Sequence, residues 1–272
     1  MFYSQNYNLI NNNSFRLKSQ ANEIWFPKNL FELKEVLARL KYKKFFLLAG
    51  GTNVLLAPKI KSVISLKYMP KRLCLGDKKR EIIVSANYST ARFVNKLIRF
   101  SIRGFEGLYG IPGTIGGAVV MNAGSGKYAI SDYISEVETI DYKGCYHFYS
   151  KKSLKFARRY SLLQDKKEVI INVKFIVPTG KVNQSELNKA IEHRKTIPHY
   201  PSAGGIWKNW HTLKPYANEL IGLRVGDAEV SKSVNIIVNR GNASFDDIII
   251  LVNKIGKIVK ESLEMEVKII GK

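Results

Sequence analysis

Glycine is the residue type whose spacing says most about chemistry in this chain. The run Gly110-Ile111-Pro112-Gly113-Thr114-Ile115-Gly116-Gly117-Ala118, closing on Met121-Asn122-Ala123-Gly124, is too rich in glycine for a helix or strand interior. Glycine there loses backbone entropy, and proline removes a hydrogen-bond donor. The expectation is a tight loop with bare amides, behind which Ala118 to Met121 begin a buried element. Bunched backbone N–H groups at such a loop hold anions. A second loop, Ala49-Gly50-Gly51-Thr52-Asn53, follows the apolar segment Phe45–Leu48. Two phosphate-type cradles point to a dinucleotide with a pyrophosphate. Neither loop has the G-x-G-x-x-G fingerprint before a long helix, and neither ends in Gly-Lys-Ser/Thr.

Other side chains exclude chemistries. The histidines, His147, His193, His199 and His211, show no metal-ligand spacing with one another or with the cysteines, so no metal is expected. Cys74 and Cys145 lie far apart and fit a reducing compartment better than a disulfide scaffold.

The chain has 272 residues, enough to bury a core and divide into two or three lobes. Its hydrophobic content is 45% and its mean hydropathy −0.14, with no apolar run of membrane-spanning length. Its start, Met1-Phe2-Tyr3-Ser4-Gln5-Asn6, lacks a basic-then-apolar leader, so a cytoplasmic protein without a membrane partner is expected. The net charge of +22 invites a nucleic-acid reading. The positive residues fall instead in short groups such as Lys43-Lys44, Lys78-Lys79-Arg80 and Lys166-Lys167. No RNA-recognition sheet motif, zinc finger or basic helix accompanies them, and nucleic acid is not expected as a partner. The excess of lysine, asparagine and isoleucine has the character of an A+T-rich coding sequence. A diffuse positive field would also gather small polyanions such as nucleotides.

These residues need elements to position them. Asn29 caps a helix over 29–42, with Glu32 three residues on and Leu30, Leu33, Val36, Leu37 and Leu40 on one face. A second amphipathic helix covers 89–102. Strands are expected at Phe45–Leu48, Val63–Leu66 and Ile82–Ser85, then at Val137–Asp141 and Tyr146–Tyr149 around a Lys143-Gly144 turn. Glu168–Val177 is a further strand, and Pro178-Thr179-Gly180 marks a boundary. Beyond it come a helix over 185–195, a strand at Val234–Val238, a helix capped by Ser244 and Asp247 and running through Leu263, and a strand at Met265–Ile270. The irregular alternation places the chain in the α+β class.

The ordered segments together resemble the UDP-N-acetylenolpyruvoylglucosamine reductase family. They are Leu48-Ala49-Gly50-Gly51-Thr52-Asn53-Val54-Leu55-Leu56, Gly107 to Gly124, Ile130-Ser131-Asp132, Arg159-Tyr160-Ser161, Ala203-Gly204-Gly205-Ile206-Trp207-Lys208-Asn209, Asn235 to Ala243, and Glu266-Val267-Lys268-Ile269-Ile270-Gly271. The resemblance implies two FAD-binding lobes of the vanillyl-alcohol-oxidase type, at 1–67 and 68–178, and a C-terminal α+β substrate lobe at 179–272. It implies a monomer in which NADPH reduces noncovalent FAD and the flavin passes hydride to an anionic nucleotide sugar carrying an enolpyruvyl ether. Gly50, Gly51, Thr52 and Asn53, with Gly110, Pro112, Gly113, Thr114, Gly116, Gly117, Asn122 and Ala123, would hold the FAD. Arg159 would hold the substrate carboxylate, Glu266 would assist at the enol, and Lys208 and Asn209 would bind substrate. Alternation along a strand does not choose between Glu264 and Glu266; the Val-Lys-Ile-Ile-Gly register selects Glu266.

Three departures accompany the resemblance. The family's proton-donor serine falls on Gly205. The segment between Ala217 and Val225 is shorter than the family's, and a Gly-Gly pair is missing near Ser19-Gln20. They leave two alternatives: a flavoenzyme for another nucleotide sugar or anionic enol ether, and a flavin-binding protein without turnover.

Overall fold

The structure is a computed structural model that describes residues 1–76 and 80–271. Lys78 and Lys79 of the basic run, and the terminal Lys272, lie outside the described residues. Two compact units make up the described chain. The first comprises Met1–Tyr3, Trp25–Gly50 and Ile64–Arg194, and the second comprises Ser4–Ile24, Gly51–Val63 and Lys195–Lys272. Residues 68–178 thus lie wholly in the first unit, residues 195–271 in the second, and residues 1–67 in both.

The first unit is built on a five-stranded antiparallel sheet in the order Tyr146–Ser150, Ile134–Asp141, Glu168–Ile176, Glu81–Ser85, Leu73–Leu75. Val84, Val137, Val173 and Phe175 pack with Phe93, Val94 and Leu97 of the helix Thr90–Arg99, and with Ile115 and Val119 of a short helix Ile115–Val120. Phe93, Phe105 and Phe175 meet at centroid distances of 5.2–5.5 Å. A second cluster joins Ile140, Val169 and Ile171 to Leu33, Val36 and Leu37 of the helix Leu30–Arg39, together with Trp25 and Ile64. Each fully buried aliphatic or aromatic side chain contributes roughly 1.5–3 kcal/mol.

The second unit centres on the helix Phe245–Ile258, whose Phe245, Ile248, Leu251 and Ile255 are buried against Phe15, Leu17, Leu55 and Trp207. A small antiparallel sheet of Arg224–Val225, Ala228–Val230 and Ile237–Asn239 adds Ala228, Val230 and Ile237 to this core. The strand Lys268–Ile270 runs parallel to Val54–Leu56.

Local signals were read correctly where the cap is local. Asn29 accepts the Glu32 amide, Ser89 that of Arg92, and Ser244 with Asp247 forms a capping box. The ends differ. The first helix stops at Arg39, and the last stops at Ile258 rather than Leu263, because Val259 already has extended backbone. Strands expected at Val63–Leu66, Val234–Val238 and Met265–Ile270 form over Lys59–Ile64, Ile237–Asn239 and Lys268–Ile270. The strands Phe2–Asn8, Gln20–Phe26 and Val54–Leu56 carried no clear period of their own.

The central glycine run departs most from expectation. Gly116 and Gly117 sit inside the helix Ile115–Val120, not in an open loop. Packing favours glycine here: a Cβ on Gly116 would lie 3.0 Å from the Ala86 Cβ and 3.2 Å from its carbonyl oxygen, tighter than ordinary contact. Close approach outweighs the low helix propensity of glycine. Thr114 caps this helix, its hydroxyl accepting the Gly117 amide at 3.3 Å.

Candidate catalytic and cofactor-binding residues

In the first unit, Gly50 and Gly113 approach one another so closely that a Cβ on Gly50 would be 2.8 Å from the Gly113 Cα. Gly110 and Gly113 take φ of 70° and 98°, in the left-handed region that favours glycine. The amides of Gly50, Gly113 and Thr114 have no backbone acceptor among the described residues. Those of Gly116, Gly117, Asn122 and Ala123 are engaged, with Ala86 O, the Thr114 hydroxyl, Val119 O and Ala118 O. Asn122, at φ 42°, is buried, and its Oδ1 has no hydrogen-bond partner among the described residues. Its Nδ2 donates to Ala157 O at 2.9 Å.

That bond leads to Arg159. Ala157 and Tyr160 exchange both backbone hydrogen bonds, so Arg158 and Arg159 form a two-residue turn. An Arg159 guanidinium nitrogen donates to Gly124 O at 3.0 Å. The central glycine segment therefore grips the turn at Asn122 and receives the side chain at Gly124.

A second guanidinium stands nearby, one that sequence reasoning missed. Arg194 Nε donates to Tyr109 O at 2.9 Å, and the side chain lies along Gly110. Burial holds its pKa below the ordinary arginine value, and the positive charge of Arg159 adds to that. Two cations brought this close make a cradle for an anion. An arginine in the last turn of a helix reads in sequence as complementing the helix dipole, so spacing did not single it out.

In the second unit the other glycine loop resumes at Gly51, with φ 63° and room only for a hydrogen, since a Cβ would fall 1.9 Å from Asn12 O. The amides of Gly51, Thr52 and Asn53 have no backbone acceptor among the described residues. Asn53 Nδ2 donates to Glu266 O at 3.3 Å, and Asn53 O accepts the Lys268 amide at 3.1 Å. Glu266 is half-buried, and its own amide donates to Ile206 O at 2.7 Å. Glu266 is thus seated between the loop's exit and the segment after Gly205.

The structure separates the two glutamates that alternation left equivalent. Glu264 is exposed and pairs with Lys208 Nζ at 2.5 Å. Asn209 holds the same segment, donating to Ser262 O and accepting the Glu264 amide. Gly205 bridges to Ile236, and a Cβ there would meet Asn235 Nδ2 at 2.6 Å. The Asn235 amide is already committed to both backbone groups of Trp207.

These features fit a flavin dinucleotide on the protein's own terms. In the first unit the bare amides of Gly50, Gly113 and Thr114 suit an anionic group and the buried Asn122 Oδ1 can accept a hydrogen bond; in the second unit the bare amides of Gly51, Thr52 and Asn53 suit an anionic group of their own. Among the described residues, no group of three or more histidines, cysteines or carboxylates could hold a metal ion, and no helix is long and apolar enough to cross a membrane.

Comparison with known proteins places the chain among flavoenzymes. Residues 22–148 match a family described as an FAD binding domain. Residues 197–270 match the C-terminal domain of UDP-N-acetylenolpyruvoylglucosamine reductase. The enzyme of that name from Caldanaerobacter subterraneus subsp. tengcongensis is 34% identical, over 95% of this chain and 90% of its own. That of Prochlorococcus marinus is also 34% identical, over 98% and 97%. The crystal structure of the Thermus caldophilus enzyme superposes with a TM-score of 0.81 at 27% identity, covering 98% of both chains.

Proposed function

The chain belongs to the UDP-N-acetylenolpyruvoylglucosamine reductase family, and from that premise we propose that it reduces the enolpyruvyl group of UDP-N-acetylglucosamine enolpyruvate with NADPH, giving UDP-N-acetylmuramate for peptidoglycan precursors. FAD, when bound at the glycine segments, would supply the hydride, with NADPH as the source of reducing equivalents. The remaining work belongs to side chains. One alkene carbon receives hydride, negative charge spreads toward the substrate carboxylate, and the other carbon takes a proton.

The observation that carries the assignment is that each candidate catalytic residue is tied to a glycine segment within its own unit. Arg159 donates to Gly124 O beside Asn122, and the backbone of Glu266 accepts from Asn53. Arg159 binds the carboxylate and stabilises the charge that develops on it; Arg194 adds to the positive potential there. Gly205 has no proton to give, so Glu266 takes over protonation through a water that it orients, with Ser202 the nearest hydroxyl in sequence. Lys208 and Asn209 serve first as struts for the segment 262–264 that leads to Glu266, and hold substrate from there. The enzyme works in the cytoplasm as a monomer of 30.9 kDa.

The test is anaerobic reduction of the purified flavoprotein by NADPH, followed by addition of the enolpyruvyl substrate. Rapid, substrate-dependent return of the oxidised flavin spectrum is expected. Reduction by NADPH with no reoxidation by this substrate overturns the proposal.

A further inference from the structure

Arg159 sits on strained backbone. Its φ of 55° lies in the left-handed region, which a side chain with a Cβ rarely occupies. Such a conformation persists only where the surroundings over-determine it. The bonds to Ala157 O and from the guanidinium fix one flank and the tip. Neither fixes the peptide of Arg159 itself.

Gln164 does. Its Nε2 donates to Arg159 O at 3.0 Å and to Val120 O at 3.0 Å. An amide nitrogen carries two hydrogens, so one side chain satisfies both carbonyls and spans from the strained turn to the helix Ile115–Val120. That helix follows directly on the Gly113-Thr114 loop. Ser161, fully buried, donates to the same Val120 O at 2.9 Å. Leu163, also buried, anchors the intervening turn in the core.

We propose that Gln164 is a positioning residue for the reduction: it holds the Arg159 peptide in its left-handed conformation and so aims the guanidinium. The inference rests on the reading of Arg159 as the cation that binds the substrate carboxylate. Loss of the donor lets the turn relax, and a misplaced cation of this kind costs about 10- to 100-fold in rate. Reduction of flavin by NADPH does not involve the enol carboxylate and is unaffected.

The experiment compares the parent, Gln164→Met, Arg159→Ala and the double variant, each purified with FAD. Gln164→Met is expected to slow substrate-driven reoxidation about 10- to 100-fold while flavin reduction stays within about twofold. In the Arg159→Ala background the same change should add no more than about twofold, since it acts through Arg159. Hydrogen–deuterium exchange over residues 157–160 should rise in Gln164→Met. An equal loss in both backgrounds, or none in the parent, overturns the proposal. Gln164→Glu keeps the shape and removes the donor; if both variants lose FAD or fail to fold, Gln164 is a core residue and the proposal fails. An Arg159→Ala enzyme that reoxidises normally refutes the role of Arg159 instead, and is recognised before Gln164 is considered.

Discussion

Gly50 and Gly205 are the two positions where a single added carbon is most informative. At Gly50 the obstacle is the Gly113 backbone at 2.8 Å, which cannot rotate away. Gly50→Ala is therefore expected to yield a protein with little or no flavin absorbance; full retention of FAD would show that the approach of the two glycines is not needed. At Gly205 the obstacle is the Asn235 amide at 2.6 Å, held in place by Trp207. Gly205→Ser supplies a hydroxyl only by displacing that clamp, an overpacking penalty of about 1–3 kcal/mol. A lower melting temperature and no gain in turnover are expected. A faster enzyme at unchanged melting temperature would show that Asn235 yields freely. Glycine spacing made the two loops legible in the sequence, but not which amides stay bare: the Gly116 and Gly117 amides are consumed by Ala86 and Thr114. Arg159 and Glu266 were singled out as candidates through their motif neighbours. Arg194 and Gln164 were not, because each acts through a backbone carbonyl that no pattern of residue types records.

Among elements, the segment beyond Ala217, expected from the resemblance to be short, is tightly folded. It folds as a short helix, Ala217–Leu220, a turn at Gly222 with φ 84°, and the hairpin Arg224–Val225 with Ala228–Val230. Glu229 closes the hairpin by accepting from Arg224 at 2.7 Å and from Arg240, whose guanidinium lies 4.1 Å from the Tyr200 ring centroid. The hydrogen bond from Arg240, together with the charges of Arg240 and Arg224, holds the Glu229 carboxyl below its ordinary pKa despite the opposing effect of burial. A carboxyl depressed in the folded state stabilises fully above its unfolded pKa, near 4.3 for Glu, and this contribution is lost as pH falls through the folded value. Glu229→Gln should thus melt lower than the parent at pH 7, by about 1 kcal/mol, and the gap should close toward pH 3. A gap independent of pH would exclude the ion pairs as its source. Capped helices such as Leu30–Arg39 were readable because cap and periodicity are local. The strands Val54–Leu56 and Lys268–Ile270 were not cleanly bounded, because only their mutual pairing defines them.

At the scale of the molecule, the formal charge of +22 meets substrates that are all polyanions. A field of that sign raises the encounter rate with NADPH and with the nucleotide sugar, and salt screens it. Between about 0.01 and 0.15 M ionic strength the Debye length falls from about 30 to about 8 Å. kcat/KM for NADPH is expected to drop severalfold over that range while kcat holds. A flat profile would leave the charge as coding composition alone.

The seating of Glu266 against Asn53 spans 213 residues of chain, and Phe15 O waits 224 residues for the Asn239 side chain. On the ribosome, Phe15, Leu17 and Leu55 emerge long before Trp207, Leu251 and Val267, the partners that bury them. The first unit's sheet can assemble in the meantime; the second unit's core cannot, and its apolar strand stays open to wrong pairings until residues beyond 267 have been made. The order of synthesis therefore makes this core, with the glutamate it carries, a late arrival, and the nascent chain's most exposed period falls between those two events.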